Sequence, residues 1–260
     1  MQNKTLIKIS DLGLDEIVID KTIDSIYVID CDANIIVKNG AYVSIIDISR
    51  NSNISLVGLK DSSIKYCILD SSCSKRLFNI DGELNINEIN LGKTNENLEV
   101  NLLSENASCN VRCLSIATSI DTVFKQLISH KAPFTYSNIT NVGVSMNKSS
   151  IIFDTTGKIE KGMSKSKCAQ LSKGIVMDDC SMVEAKPILL IDEFDCFANH
   201  GASIGKMSDE DLFYLMSRGL SKTEAFLLIL QGIIKPFIDD ITVEEYKNTI
   251  EREIRNLIEK

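Results

Sequence analysis

Residues 42–70 read "YVSIIDISRNSNISLVGLKDSSIKYCILD", and the reading of this stretch decides the fold. It holds three short runs, "YVSIIDIS", "NISLVGL" and "IKYCILD", rich in Ile and Val and partly alternating. A period of two sends successive side chains to opposite faces of a strand, and no helical period competes with it here. Asn, Asp and Ser separate the runs; such residues tolerate left-handed backbone or hydrogen-bond their own main chain. The breaks are too short to hold helices.

The same texture extends in both directions, from about residue 4 to 205. "EIVID", "SIYVID" and "NIIVKNG" precede the stretch, and "LNINEINL", "LEVNLL" and "VRCLSI" follow it. So many short strands leave a sandwich, a barrel or a β-solenoid. A sandwich needs hairpin turns, yet only "KNGA" at Lys38 and "IDGE" at Ile80 have the required chemistry. A solenoid needs only that each rung stack on the last, so its repeat can be imperfect. The strict hexapeptide repeat of left-handed helices is absent. The expectation is a mainly β chain whose residues 1–205 form a right-handed parallel β-helix, although periodicity alone leaves the other two open.

After Lys206 the texture changes. Ser208 with Asp211, Ser221 with Glu224, and Thr242 with Glu245 are three capping-box signals, each opening a helical pattern. Met207 and Leu212 are spaced as a hydrophobic staple, and Gly219 ends the first pattern. In the last pattern Val243, Tyr246, Ile250, Ile254 and Leu257 share one face. Residues 206–260 therefore read as a small C-terminal helical subdomain. "FLLILQGII" is more apolar than such a subdomain needs, so it is either buried under the β-domain's end or a partner surface.

Composition narrows the function. The 260 residues are 44% hydrophobic and 25% charged, with formal net charge −8. That balance argues against a nucleic-acid partner held by phosphate neutralisation. The densest basic stretch, "KIEKGMSKSK" from Lys158 to Lys167, reads as a solvated turn. No run approaches a membrane span and no export signal opens the chain, so a cytoplasmic location with no membrane partner is expected. The eight cysteines contain no C-x2-C pair and read as thiols. Cys67 and Cys113 sit in strand-like runs and are expected to pack as small hydrophobes.

Only two histidines are present, His130 and His200. His200 follows Cys196 by four residues in "DCFANHGASIG", a half metal site by spacing or a coincidence of packing. His130, beside Lys131-Ala132-Pro133, reads as structural. No G-x4-G-K-[ST] motif is present, so any ATP hydrolysis must come from a partner.

The segment "KPILLIDEFDCFANHGASIGKMSDEDLFYLMSRGL" resembles the C-terminal signature of the SufB/SufD family, scaffold subunits of the SUF iron–sulfur cluster assembly system. The resemblance runs through Pro187, Leu189, Ile191, His200 to Ala202, Ile204, Gly205, Asp209 to Leu215, and Ser217 to Gly219. "ISHKAPFTYSNITNVGV" from Ile128 resembles the family's His-Lys-Ala-Pro-x-Thr-x-Ser segment, and "SSIIFDTTGKIEKG" its following rung. Together these cover roughly residues 125–235, while the N-terminal part is matched by texture alone. Family members carry a further N-terminal helical region, so this chain looks like a minimal form, in which one subunit serves both scaffold roles.

Departures from the family pattern fall on the ligands. Asn199-His200-Gly201 follows the SufD pattern, not the Glu-His-Glu of SufB. The SufD cysteine two residues before the histidine falls on Ala198, with Cys196 two further back. The SufB cysteine falls on Ser172, with Cys168 upstream and Cys180 downstream. The resemblance implies a non-enzymatic scaffold that holds an iron–sulfur cluster transiently. Its candidate metal ligands are His200, Cys196, Cys180 and Cys168, with Cys196 first by proximity. The implied partners are a SufC-type ABC ATPase, docked on Leu212, Leu215, Phe226, Leu227, Ile229 and Leu230, and a dimer mate. That mate is a second copy or a SufB/SufD paralogue, joined at the last rungs. Two other readings stand beside it. One is a purely structural subunit with no cluster ligands. The other is a β-helix carbohydrate-active enzyme, disfavoured by the lack of Trp and of a carboxylate–arginine constellation.

Overall fold

The computed structural model describes residues 5–20, 25–69 and 73–258. Odd-numbered strands build one sheet: β1 (Leu6–Lys8), β3 (Ile26–Ile29), β5 (Tyr42–Asp47), β7 (Ser63–Leu69), β9 (Glu83–Asn90), β11 (Ser108–Thr118), β13 (Tyr136–Met146), β15 (Lys167–Val176) and β17 (Phe197–Gly205). Even-numbered strands build the other: β2 (Ile17–Ile19), β4 (Ala33–Val37), β6 (Asn53–Gly58), β8 (Lys75–Ile80), β10 (Asn95–Leu102), β12 (Asp121–His130), β14 (Ser150–Ile159) and β16 (Met182–Ile191). Each strand pairs in parallel with the one two places away. The chain therefore crosses from sheet to sheet at every turn and climbs one rung per pair. This is a parallel β-helix, as expected.

Short corners make the winding possible. Asn51, Asp61, Asn106 and Asn147 take left-handed backbone there, with φ of 58°, 60°, 65° and 57°. Gly82 serves differently: a Cβ on it would collide with the Ser62 backbone one rung below. Inward side chains then align in columns along the axis. In the first sheet one column runs Ile45, Tyr66, Ile86, Val111 and Ile139, all nearly solvent-free. Truncating one of these Ile residues to Ala would cost about 2–5 kcal/mol through lost transfer energy and the cavity left behind.

Polar groups also lie inside. Arg76 on β8 is fully buried and donates to Asp47 through Nε at 2.9 Å and to Glu96 through an Nη at 2.8 Å. Tyr66 donates its hydroxyl to the same Asp47 oxygen at 2.7 Å. Glu88 is buried beside Glu96, and burial, followed by the Glu96 charge, raises its pKa well above the usual carboxylate range. Both causes favour its neutral form, which limits the charge Arg76 has to offset.

Three helices follow: α1 (Asp209–Ser217), α2 (Lys222–Asp239) and α3 (Glu244–Ile258). Ser208 caps α1 by accepting from the Asp211 N–H, and Ser221 with Glu224 forms a complete capping box on α2. Leu230, Ile234, Phe237 and Ile238 of α2, with Ile250 and Ile254 of α3, share one apolar cluster with Cys67, Leu69, Ile89, Leu114 and Val142. Those sheet residues face outward. The helices lie along the flank of the first sheet, not under the end of the β-domain, and the last rung stays open. That is why β7, β9 and β11 carry apolar residues on their outward faces toward their C-terminal ends.

Candidate functional site

β16 and β17 are the terminal strands of their sheets. β17 pairs with β15 so that Ala198 lies beside Cys168, His200 beside Gln170 and Ala202 beside Ser172. Register partners in a parallel pair share a face. His200 thus continues the inward column Ile45–Ile139 by way of Gln170, and the column turns polar only in its last two rungs. His200 itself is exposed, because no further rung covers it.

Cys168 is 1% exposed and points inward. Gly157 on β14 makes the space: a Cβ there would collide with the Cys168 Sγ. Burial raises the thiol's pKa, and the neighbouring Ser137 hydroxyl opposes that shift. Gln170 donates through Nε2 to the Ile188 carbonyl at 3.3 Å, while its buried Oε1 has no partner.

Cys196 sits half-buried in the turn before β17, and its thiol donates to the Glu193 carbonyl at 3.2 Å. Glu193 fixes this turn by accepting from the Gly162 N–H at 2.8 Å and the Asp195 N–H at 3.0 Å. Lys165 pairs with Asp195 at 2.8 Å. Burial, then the Glu193 and Asp195 charges, raise the Cys196 pKa. The Lys158–Lys167 stretch is mostly the turn beneath, with Lys158 and Lys131 both paired to Glu160.

The structure thus brings Cys168, Cys196 and His200 to one end of the last two rungs, around the small side chain of Ala198. It does not bring Cys180 there. That residue is exposed in the turn beyond the far end of β15, whose length from residue 168 to 176 separates them by about 26 Å at 3.3 Å per residue. Among the described residues, no three His, Cys, Asp or Glu side chains converge closely enough to hold a metal ion. Cys67, Cys109 and Cys113 are buried, and burial pushes the Cys67 thiol up to about 12. Cys67 and Cys113 pack in apolar clusters, as expected.

His130, at the end of β12, is buried, with Nδ1 2.7 Å from the Thr135 hydroxyl and Nε2 2.9 Å from that of Ser137. Burial lowers its pKa to about 4, so the ring is neutral near pH 7. Ser137, Gly157 and Gln170 are the site residues that sequence reasoning missed. Only the Thr-x-Ser spacing behind His130 pointed toward one of them.

The expected docking residues divide. Leu230 is fully buried and Leu212 nearly so, both covered from within the chain. Leu215, Phe226, Leu227 and Ile229 are half-buried. The apolar side chains that α1 and α2 expose are Phe213 (73% exposed), Tyr214, Met216 and Leu228.

The family described as SUF system FeS cluster assembly, SufBD core domain, matches residues 16–233. The chain belongs to this family. The match reaches far upstream of the motif-bearing segment, through rungs that sequence texture alone had assigned. The chain is 37% identical over 136 residues to the iron–sulfur cluster assembly protein SufD of Bacillus subtilis, covering 51% of this chain and 31% of that protein. A SufBD family protein of Pyrococcus horikoshii is 37% identical over 118 residues, covering 42% and 26%. One of Staphylococcus haemolyticus is 34% identical over 119 residues, covering 44% and 25%. The aligned parts thus span about a third or less of these relatives. No helix among the described residues is long and apolar enough to cross a membrane.

Proposed function

We propose that this SufBD family chain is a non-enzymatic scaffold that holds an iron–sulfur cluster transiently at its open last rungs, through Cys168, Cys196 and His200. One observation carries the reading. The inward column is closed by Ile45, Tyr66, Ile86, Val111 and Ile139 for five rungs and then presents Gln170 and His200, with two thiols nearby, at the unpaired end. Thiolates are soft ligands suited to iron, and imidazole can replace one of them. Few ligands on a loose end suit a cargo that must leave. Cys180 plays no part in this set.

The same end supplies the partner surface. β16 and β17 offer two unpaired edges of 10 and 9 residues, with Ile188, Leu190, Phe194 and Phe197 exposed along them. Long uncovered edges pair with other strands. A second copy or a SufB/SufD paralogue extends both sheets there and brings two sets of thiols and histidines together. A SufC-type ATPase docks on the outer side of α1 and α2, through Phe213, Tyr214 and Leu228 together with the half-buried Leu215, Phe226, Leu227 and Ile229.

Anaerobic reconstitution of the intact chain with iron and sulfide, read by absorbance and iron-to-sulfide stoichiometry, tests the reading. A cluster-type spectrum with bound iron and sulfide is expected; a protein that retains neither contradicts it. Co-purification with the ATPase, comparing the parent with Phe213→Glu/Leu228→Glu, tests the docking face and spares the buried Leu230.

A further inference from the structure

His130, Thr135 and Ser137 are the buried polar residues of the His-Lys-Ala-Pro-x-Thr-x-Ser segment, and the cluster-holding role above gives them no task. In the structure they form one buried chain. Thr135 Oγ1 contacts His130 Nδ1, and His130 Nε2 contacts Ser137 Oγ. Ser137 is the register partner of Cys168 on the inward face, which places its hydroxyl beside the thiol. At the other end, the Thr135 hydroxyl lies 3.0 Å from the Ala132 carbonyl and 2.9 Å from the Ser166 hydroxyl. Ser166 also reaches that carbonyl, at 3.3 Å.

We propose that His130, acting through Ser137, is a positioning residue for the Cys168 sulfur, and that its ring tautomer changes when that sulfur takes a metal. The role rests on the cluster-holding reading and adds the device that supports one of its ligands. With Cys168 as a thiol, its S–H donates to Ser137 Oγ and the Ser137 hydroxyl donates to His130 Nε2. The ring N–H at Nδ1 then donates to Thr135, whose hydroxyl donates to the Ala132 carbonyl. With metal on the sulfur, the thiol proton has left to solvent, as metal binding requires. Ser137 now donates to the sulfur, Nε2–H donates to Ser137 Oγ and Thr135 donates to Nδ1. Ser166 takes over the Ala132 carbonyl. Every hydroxyl and ring nitrogen keeps a partner in both arrangements, and the ring is neutral in both. Burial, which disfavours the charged ring, makes the tautomer the variable. Such outer contacts orient a ligand, and their loss typically costs about 10–100-fold in metal affinity.

With only two histidines in the chain, 15N-histidine labelling gives two pairs of ring signals, and His200→Ala assigns them. The experiment adds cadmium, a diamagnetic thiophilic ion, to the full chain. The expected result is a shift of His130 from the Nδ1–H to the Nε2–H tautomer in the parent and in Cys180→Ser, and no shift in Cys168→Ser. Cadmium bound to Cys168 with an unmoved His130 tautomer overturns the proposal, as does the same shift in Cys168→Ser. A second arm measures iron and sulfide retention: Ser137→Ala should lose about 10-fold or more in affinity, and Ser137→Thr, which keeps the hydroxyl, should restore most of it. Equal behaviour of the two overturns the role. If Ser137→Ala does not fold, His130→Gln against His130→Phe makes the same comparison, since only Gln can bridge two hydroxyls. A parent that retains no iron while cadmium still switches His130 defeats the cluster-holding reading and leaves the hydrogen-bond chain standing.

Discussion

The middle rungs and the last two rungs are built on the same columns and treat polar groups in opposite ways. Around Arg76, charge is sealed: Asp47, Glu96 and Tyr66 close on the guanidinium, and none of the four touches solvent appreciably. Around His200, the polar end is left open: the imidazole is exposed. The stacking is the same, and only the absence of a covering rung differs. Interior polarity therefore serves two purposes in this fold, cohesion where rungs continue and availability where they stop.

The strongest break in this comparison comes from the sealed side. Arg76→Ala should destabilise the chain by about 3–5 kcal/mol, because it leaves carboxylates buried without their cation. Urea unfolding at neutral pH measures it, and a loss under 1 kcal/mol would show that the cluster is not the closed unit its geometry describes. His130 lies between the two regimes, buried yet wired to the open end. Its folded pKa of about 4 lies below the unfolded value of about 6.5, so the unfolded chain takes up the proton first as pH falls. Its contribution is complete above pH 6.5 and is lost on the way down to pH 4, by up to about 3 kcal/mol. A His130→Gln variant should lose less stability over that window than the parent; parallel curves would refute this.

Smaller effects sharpen the contrast. Ser221→Ala removes one half of the α2 capping box and should cost about 1 kcal/mol, seen as a lower urea midpoint with unchanged slope. His200→Ala, at an exposed position on the open rung, should change stability by no more than about 0.5 kcal/mol. A large loss there would mean that the histidine holds the rung together.

Much of the fold was legible because inward positions are mostly β-branched or aliphatic, and the period of two survives along each strand. The run "KRLFNI" of β8 was the informative omission. Arg76 occupies its first inward position, so the alternation looks broken, and the partners that justify the charge lie at Asp47 and Glu96, distant in sequence. The helices were legible through their caps, but their seat was not. Their contact with the flank of the first sheet is written in outward residues such as Cys67, Ile89 and Leu114, which read as ordinary strand residues. At the candidate site, the resemblance placed His200, and spacing could not rank the thiols. Cys180 follows Cys168 by only 12 residues, yet an extended strand carries it to the opposite corner, whereas rung stacking sets Cys168 beside Ala198, two residues from Cys196.

The claim that the open end holds the cargo is tested most directly by one comparative reconstitution. Parent, Cys168→Ser, Cys196→Ser, His200→Ala and Cys180→Ser chains are loaded anaerobically with iron and sulfide, and bound iron is counted after desalting. The expected result is reduced retention in the first three variants, by about 10-fold or more where a ligand is lost, and parent-like retention in Cys180→Ser. Parent-like retention in all four, or loss confined to Cys180→Ser, would contradict the account.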